Sequence, residues 1–298
     1  MAIWTIGADP EFMLVNKAGK YVSAIGIVPG TKENKIPLGN GHYAFYDNVL
    51  VECNIAPASG RNVLEKFQDC FQRLVKLIGP KFRLTPQASQ VYPKEECEHK
   101  DAKVFGCDPE YCVYERDEDG RIKRVDPPIC DENNTFRSGG GHVHIGHEKA
   151  MPILGGKPVE IVTLLDIVLG CASVLMDHDP TSAARRKLYG GAGTHRVNMD
   201  YGLEYRCLSN FWLASPKLVR MVYDLTDTVL DLIDLDAEGE VFKLVDVNKV
   251  RKTINTGKKQ DAEKILASVS KFLPPHLLKK ITDFSEPATY DFYKEWGL

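Results

Sequence analysis

Gly139-Gly140-Gly141-His142-Val143-His144-Ile145-Gly146 reads as a strand that presents two imidazoles together. Successive side chains of an extended chain point to opposite sides, so residues i and i+2 share a face. The three glycines ahead of it let backbone or ligand approach closely. The same spacing recurs in Gly7-Ala8-Asp9-Pro10-Glu11, where two acids share a strand face, and in Glu204-Tyr205-Arg206. Acids, imidazoles and a guanidinium projected from separate strands are the means by which a sheet builds a metal and phosphate site.

Working outward, residues 3–15 are β-rich, residues 16–20 form a turn and 21–27 a return strand, which predicts a hairpin. Residues 43–55 read as one further strand ended by Pro57, after which Ser59 caps a helix. In that helix Val63, Leu64, Phe67, Cys70, Phe71, Leu74, Val75 and Ile78 recur at helical spacing until Gly79-Pro80 stops it. A buried helix is expected near 158–178 and a strand pair over 193–213. Ser215-Pro216 should open an amphipathic helix over 218–235, and Pro274-Pro275 a short one in a helical last quarter. Gly106-Cys107-Asp108-Pro109-Glu110-Tyr111 echoes the first acidic motif, too briefly to establish a duplication.

The bulk properties narrow the class. A chain of 298 residues with 43% hydrophobic and 27% charged residues and 24 glycines has an ordinary enzyme's composition. A net charge of -3 offers no overall attraction to nucleic acid, so no nucleic-acid partner is expected. The most apolar stretch, 159–176, is interrupted by Glu160, Thr163, Asp166 and Ser173, which favours a core helix over a membrane span. The N-terminus carries no basic leader or cleavage signal, and the eight cysteines contain no C-x-x-C pair, which together point to reduced thiols and a cytoplasmic protein. A zinc site from Cys97, His99, Cys107 and Cys112 has a spacing that matches no standard finger or ribbon.

Glu52 stands out in the apolar run Val49-Leu50-Val51-Glu52-Cys53, since a buried carboxylate must be paired or bound to a metal. Arg185, Arg186, Lys187, the loop Tyr189-Gly190-Gly191-Ala192-Gly193, His195 and Arg196 bring guanidinium groups around glycines, as a multivalent phosphate requires. Walker, dinucleotide-fold, nucleophile-elbow and His-Glu-x-x-His patterns are all absent. With no linker between the halves, one domain is expected: a catalytic core over 1–216 and a helical C-terminal part over 217–298.

In their order, these motifs resemble the glutamine synthetase and glutamate–cysteine ligase superfamily, and most closely the phage-encoded carboxylate–amine ligases (COOH–NH2 ligase type 2), over about residues 3–216. The resemblance implies an α+β, glutamine synthetase-like fold with a curved, mainly antiparallel sheet flanked by helices, binding ATP and Mg2+ or Mn2+. It implies metal ligands at Asp9, Glu11, Glu52, His142 and Glu204, nucleotide contacts from His142, Arg186, Arg196 and Arg206, and catalytic roles for Arg196, Arg206 and His144. The implied reaction joins small-molecule or peptide carboxylate and amine substrates through an acyl-phosphate, in the host cytoplasm if the chain is phage-encoded. A phosphotransferase on the same fold and a non-catalytic nucleotide-binding phage protein are the alternatives. A homo-oligomer whose neighbouring subunit completes the site is compatible with the sequence, and whether Asp108 and Glu110 also hold metal is left open.

Overall fold

A computed structural model of the chain describes residues 4–104, 110–125, 134–147, 157–198 and 202–298. Its strands are β1 (Trp4–Ala8), β2 (Glu11–Asn16), β3 (Tyr21–Val22), β4 (Ile36–Gly39), β5 (His42–Asp47), β6 (Leu50–Ala58), β7 (Phe82–Thr85), β8 (Ser89–Val91), β9 (Glu110–Arg116), β10 (Ile122–Val125), β11 (Phe136–Ser138), β12 (Val143–His147), β13 (Thr194–Asn198) and β14 (Gly202–Tyr205). Among the described residues, all but β8 and β11 join one twelve-stranded sheet whose main path runs β10-β9-β13-β14-β12-β1-β6-β2-β3. β5 joins β6 and β4, and β7 joins β2. Every strand pairing in this sheet is antiparallel, and helices flank it, so the α+β expectation is met.

Helix Val63–Ile78 forms where the apolar periodicity placed it, burying Val63, Phe67, Cys70, Phe71, Leu74 and Ile78. Gly79 stops it at φ 73, a backbone conformation that glycine adopts without steric penalty. Ser215 caps helix Pro216–Asp234, its hydroxyl accepting from the Leu218 amide, with Pro216 in the first turn. Helix Pro158–Met176 is long and apolar enough to cross a membrane, contrary to the reading of its interruptions, yet 89% of its apolar window is buried inside the protein. Two of its polar residues are hydrogen-bonded there: Ser173 donates to the Gly170 carbonyl, and Oδ1 of Asp166, in a π-turn, accepts from the Tyr205 hydroxyl. One core runs from Trp4 to Trp296, so the helices beyond residue 216 pack into the same interior as the sheet.

Several local expectations are corrected. The first acidic stretch is two strands rather than one, since β1 ends at Ala8 and β2 begins at Glu11. Pro10 lacks an N–H and cannot extend the ladder as a donor; its carbonyl instead accepts from the Cys53 amide. Only Tyr21–Val22 of the return strand pairs with β2, because the Ser23 amide turns to the Glu96 carboxylate. The stretch 43–55 folds into the β5–β6 hairpin, where Asn48 takes φ 55, a left-handed conformation that asparagine tolerates. β6 passes through Pro57 to Ala58, and Ser59 makes no side-chain cap; a single 3₁₀ turn, Gly60–Asn62, leads into the helix. β12 starts at Val143, after the glycines. The echoed acidic motif lies outside the described residues up to Glu110, which opens β9.

Candidate functional site

Sheet register assembles the chemistry. Arg196 of β13 lies opposite Glu204 of β14, Glu204 opposite His144 of β12, and His144 opposite Gly7 of β1, a four-strand row. Glu11 of β2 lies opposite Glu52 of β6, and Glu52 opposite Phe45 of β5, two residues before Asp47. Residues at i+2 repeat each face, so His142, Arg206 and Asp9 join the same side. The result is a cavity of about 770 Å³ whose walls include Asp9, Glu11, Asp47, Glu52, His142, His144, Arg196, Glu204 and Arg206.

Two sets of ligand-capable groups form within it. Asp9, His144 and Glu204 bring ligand atoms within 4.8 Å of one another, and so do Glu11, Asp47 and Glu52. In the first set, His144 Nε2 is 3.1 Å from Asp9 Oδ2, and His142 Nδ1 is 3.2 Å from both Asp9 Oδ1 and Glu204 Oε1. Asp9 Oδ1 is buried and, despite that proximity, makes no aligned hydrogen bond. A buried carboxylate oxygen left in this state has capacity for a further partner. Carboxylate oxygens with one imidazole suit Mg2+ or Mn2+, and the all-carboxylate set suits them more plainly.

Electrostatics separates the two sets. Burial raises the Asp9 carboxyl, but His144 and His142 outweigh it and hold Asp9 well below the usual range. Burial likewise opposes ionisation of Glu204, yet Arg206 and His142 bring it down to about 2. Burial depresses both histidines, and Arg206 adds to this at His142, but Asp9 holds each above its ordinary value. In the second set the compensation falls short, although Lys32, Arg206 and Arg196 pull on Asp47 and Lys35 on Glu52. Burial pushes Glu11 up to about 7 against the pull of His142, with Asp47 and Asp9 adding to the rise. Burial, then Asp9, Asp47 and Glu11, drive Glu52 well above the carboxylate range, and burial also raises Asp47. Repelling acids of this kind lower their energy by sharing a divalent cation or by taking up protons.

Hydrogen bonds hold the walls in place. Arg206 pairs with Glu204, donates from Nε to Glu110 Oε2 at 2.8 Å, and from Nη2 to the Tyr189 hydroxyl at 2.8 Å. That hydroxyl lies 2.5 Å from His142 Nε2. Arg196 Nη1 reaches Glu204 Oε2 at 3.5 Å. The Gly140 amide donates to the Glu11 carboxylate at 2.8 Å, its carbonyl accepts from the Glu11 amide, and Asn210 grips the Glu11 carbonyl. A side chain at Gly140 would collide with the His142 ring, and one at Gly141 with the Trp212 indole.

Of the residues singled out from sequence, Asp9, Glu11, Glu52, His142, His144, Arg196, Glu204 and Arg206 all line this cavity. His144 falls in the first ligand set, whereas His142 is engaged by Tyr189 on one nitrogen and by carboxylates on the other. Arg186 does not come to the cavity; it lies on helix Ser182–Leu188, 3.9 Å from Asp177. Arg185 is fully buried and holds backbone, donating to the Gly139 and Cys207 carbonyls. Cys97 and His99 belong to neither ligand set, and Cys107 lies outside the described residues. The sequence does not single out several wall residues, among them Lys32, Lys35, Asp47 and Tyr189. Asp47 precedes Asn48, whose turn preference was the available signal, and Tyr189 was quoted only as part of the glycine loop.

Residues 133–273 match the family described as phage phiEco32-like COOH.NH2 ligase-type 2, which bears out the resemblance over that stretch. A search of curated protein sequences finds no match. Among solved structures, the chain is similar to a crystal structure described as a novel glutamine synthase homolog, with a TM-score of 0.42 and 14% identity over 95% of this chain. The chain spans 66% of that protein's length.

Proposed function

We propose that the chain is an ATP-dependent carboxylate–amine ligase that activates a carboxylate as an acyl-phosphate and passes the acyl group to an amine. The observation that carries this reading is the pair of adjacent ligand sets in one cavity, the second an all-carboxylate set whose burial and mutual repulsion outweigh the pull of His142, Lys32, Lys35, Arg196 and Arg206. The family matched over residues 133–273 supports the same reaction class.

The chemistry needs what these residues offer. A carboxylate is a poor electrophile, and bringing it to a nucleotide's terminal phosphate sets two anions against each other. Bound divalent cations would neutralise that repulsion and polarise the transferring phosphoryl group. Asp9, His144 and Glu204 would hold one ion, and Glu11, Asp47 and Glu52 another. Arg206, fixed by Glu204, Glu110 and Tyr189, presents a preorganised guanidinium to the developing oxyanion. Arg196 supplies a second positive charge at the other carboxylate oxygen of Glu204. His142 orients Asp9 and Glu204 from beneath.

Purified protein given ATP, Mg2+ and paired acids and amines should release ADP and phosphate together with a condensed product, identified by mass. A phosphorylated product without condensation would make the protein a phosphotransferase instead. Folded protein that binds no nucleotide in the presence of Mg2+ would refute both.

A further inference from the structure

A second cavity of about 490 Å³ lies beside the first, between the β9–β10 hairpin, the loop after helix Ser182–Leu188 and helix Val247–Thr256. Among the described residues, five cationic side chains line it, Lys123, Arg124, Arg186, Lys187 and Arg251, against two acids, Glu110 and Glu115. Both acids are already engaged: Glu110 by Arg206 at 2.8 Å, and Glu115 by Arg251 and by Lys123 at 3.3 Å. This concentration of positive charge contrasts with the chain's net charge of -3.

Arg186 supplies an independent observation. Its side chain is 3% exposed, and its Nε and Nη2 make no hydrogen bond. The nearest carboxylate oxygen, Asp177 Oδ2 at 3.9 Å, already accepts from the Ser182 and Ser209 hydroxyls at 2.6 and 2.8 Å. A buried guanidinium with unsatisfied donors is costly, and a phosphate or carboxylate is the group whose oxygens match its planar fork. The two cavities also share walls. Tyr189 lines both, and Glu110 of the second holds Arg206 of the first.

We propose that this second cavity is an anion subsite, taking a phosphate or carboxylate group on a molecule whose other end reaches the first cavity. The assignment rests on the ligase reading for what occupies the first cavity, but the charge and geometry of the subsite are independent of it. One reactant of the ligase is therefore a molecule with an anionic group remote from its reacting end.

The test is calorimetric titration of the full chain with inorganic phosphate, without nucleotide or divalent cation. Arg124 and Lys187 are exposed, so Arg124→Glu/Lys187→Glu should fold normally and weaken phosphate about tenfold or more, while Mn2+ binding at the first cavity stays unchanged. Arg186→Lys, which keeps the charge and loses the fork, should weaken phosphate with an unaltered melting temperature. Repeating the titration with an ATP analogue and Mn2+ bound assigns the anionic group: continued phosphate binding gives it to the acid or amine substrate, and displacement gives it to the nucleotide. Wild-type protein that binds Mn2+ but no phosphate, or a double variant with wild-type phosphate affinity, would overturn the subsite alone. Wild-type protein that binds phosphate but no Mn2+ would overturn the ligase reading and leave the subsite standing.

Discussion

Neutralising Glu52 tests the charge argument most directly. The ligand atoms of Glu11, Asp47 and Glu52 lie within 4.8 Å of one another, so each ionised pair repels by about 3 kcal/mol or more at an effective dielectric constant near 20. The sign follows from the raised pKa values. A carboxyl whose folded pKa exceeds its unfolded one costs nothing below the unfolded value; its penalty grows between the two values and levels off above the folded one. For Glu11, raised from 4.5 to about 7, that penalty is on the order of 3 kcal/mol by pH 9. The cation-free protein should therefore lose stability between pH 6 and pH 9, and Mn2+ should restore it. Glu52→Gln keeps the shape and removes one charge, so its cation-free melting temperature should fall less over that range, by several degrees. Its stabilisation by Mn2+ should drop sharply, with affinity weakened at least about 100-fold. Scanning calorimetry at pH 6 and pH 9, with and without Mn2+, reads both quantities. A variant that is less stable than wild type at pH 9 and gains as much from Mn2+ would refute the reasoning.

Three further outcomes follow. Arg206→Lys loses the fork shared among Glu204, Glu110 and Tyr189, and should cut ligase turnover by about 100-fold or more while leaving Mn2+ affinity within about threefold, measured by steady-state rates and titration. Mn2+ affinity should rise with pH through about 7, because Glu11 must release its proton to coordinate; a flat profile between pH 6 and pH 8 would count against Glu11 as a ligand. Burial raises Asp166 to about 7, so the protein loses on the order of 4 kcal/mol from this group between pH 4 and pH 8. Asp166→Asn can still accept from Tyr205, and its melting temperature should vary less between pH 5 and pH 8 than that of wild type; equal differences would refute this.

How much of the site could be seen in the sequence depended on whether its information was local. The i, i+2 pairs at Asp9 and Glu11, His142 and His144, and Glu204 and Arg206 announce their shared face through strand periodicity alone, and all six line the cavity. That survives even where a residue lies just outside a strand, as Asp9 and His142 do. Asp47 and Tyr189 reach the cavity through a hairpin turn and a loop, whose placement is set by partners far along the chain. Arg185 and Arg186 look alike beside the glycines, but consecutive positions on a helix point in different directions, and neither lines the acidic cavity. The apolar helices were legible for the same local reason as the strand faces. The hairpin at Asn48 was not, because a single residue decided it.

Tyr205 gives strand β14 a role beyond carrying its two functional neighbours. Glu204 and Arg206 project into the cavity, while the Tyr205 hydroxyl reaches the opposite layer and bonds Asp166 in the π-turn of a largely internal helix at 2.6 Å. Three consecutive residues are thus riveted from both sides, and any shift of that helix must travel along one backbone to the charged groups in front. Changes far from the cavity, in the layer behind the sheet, can then shift the spacing of its charged groups through mechanical registration.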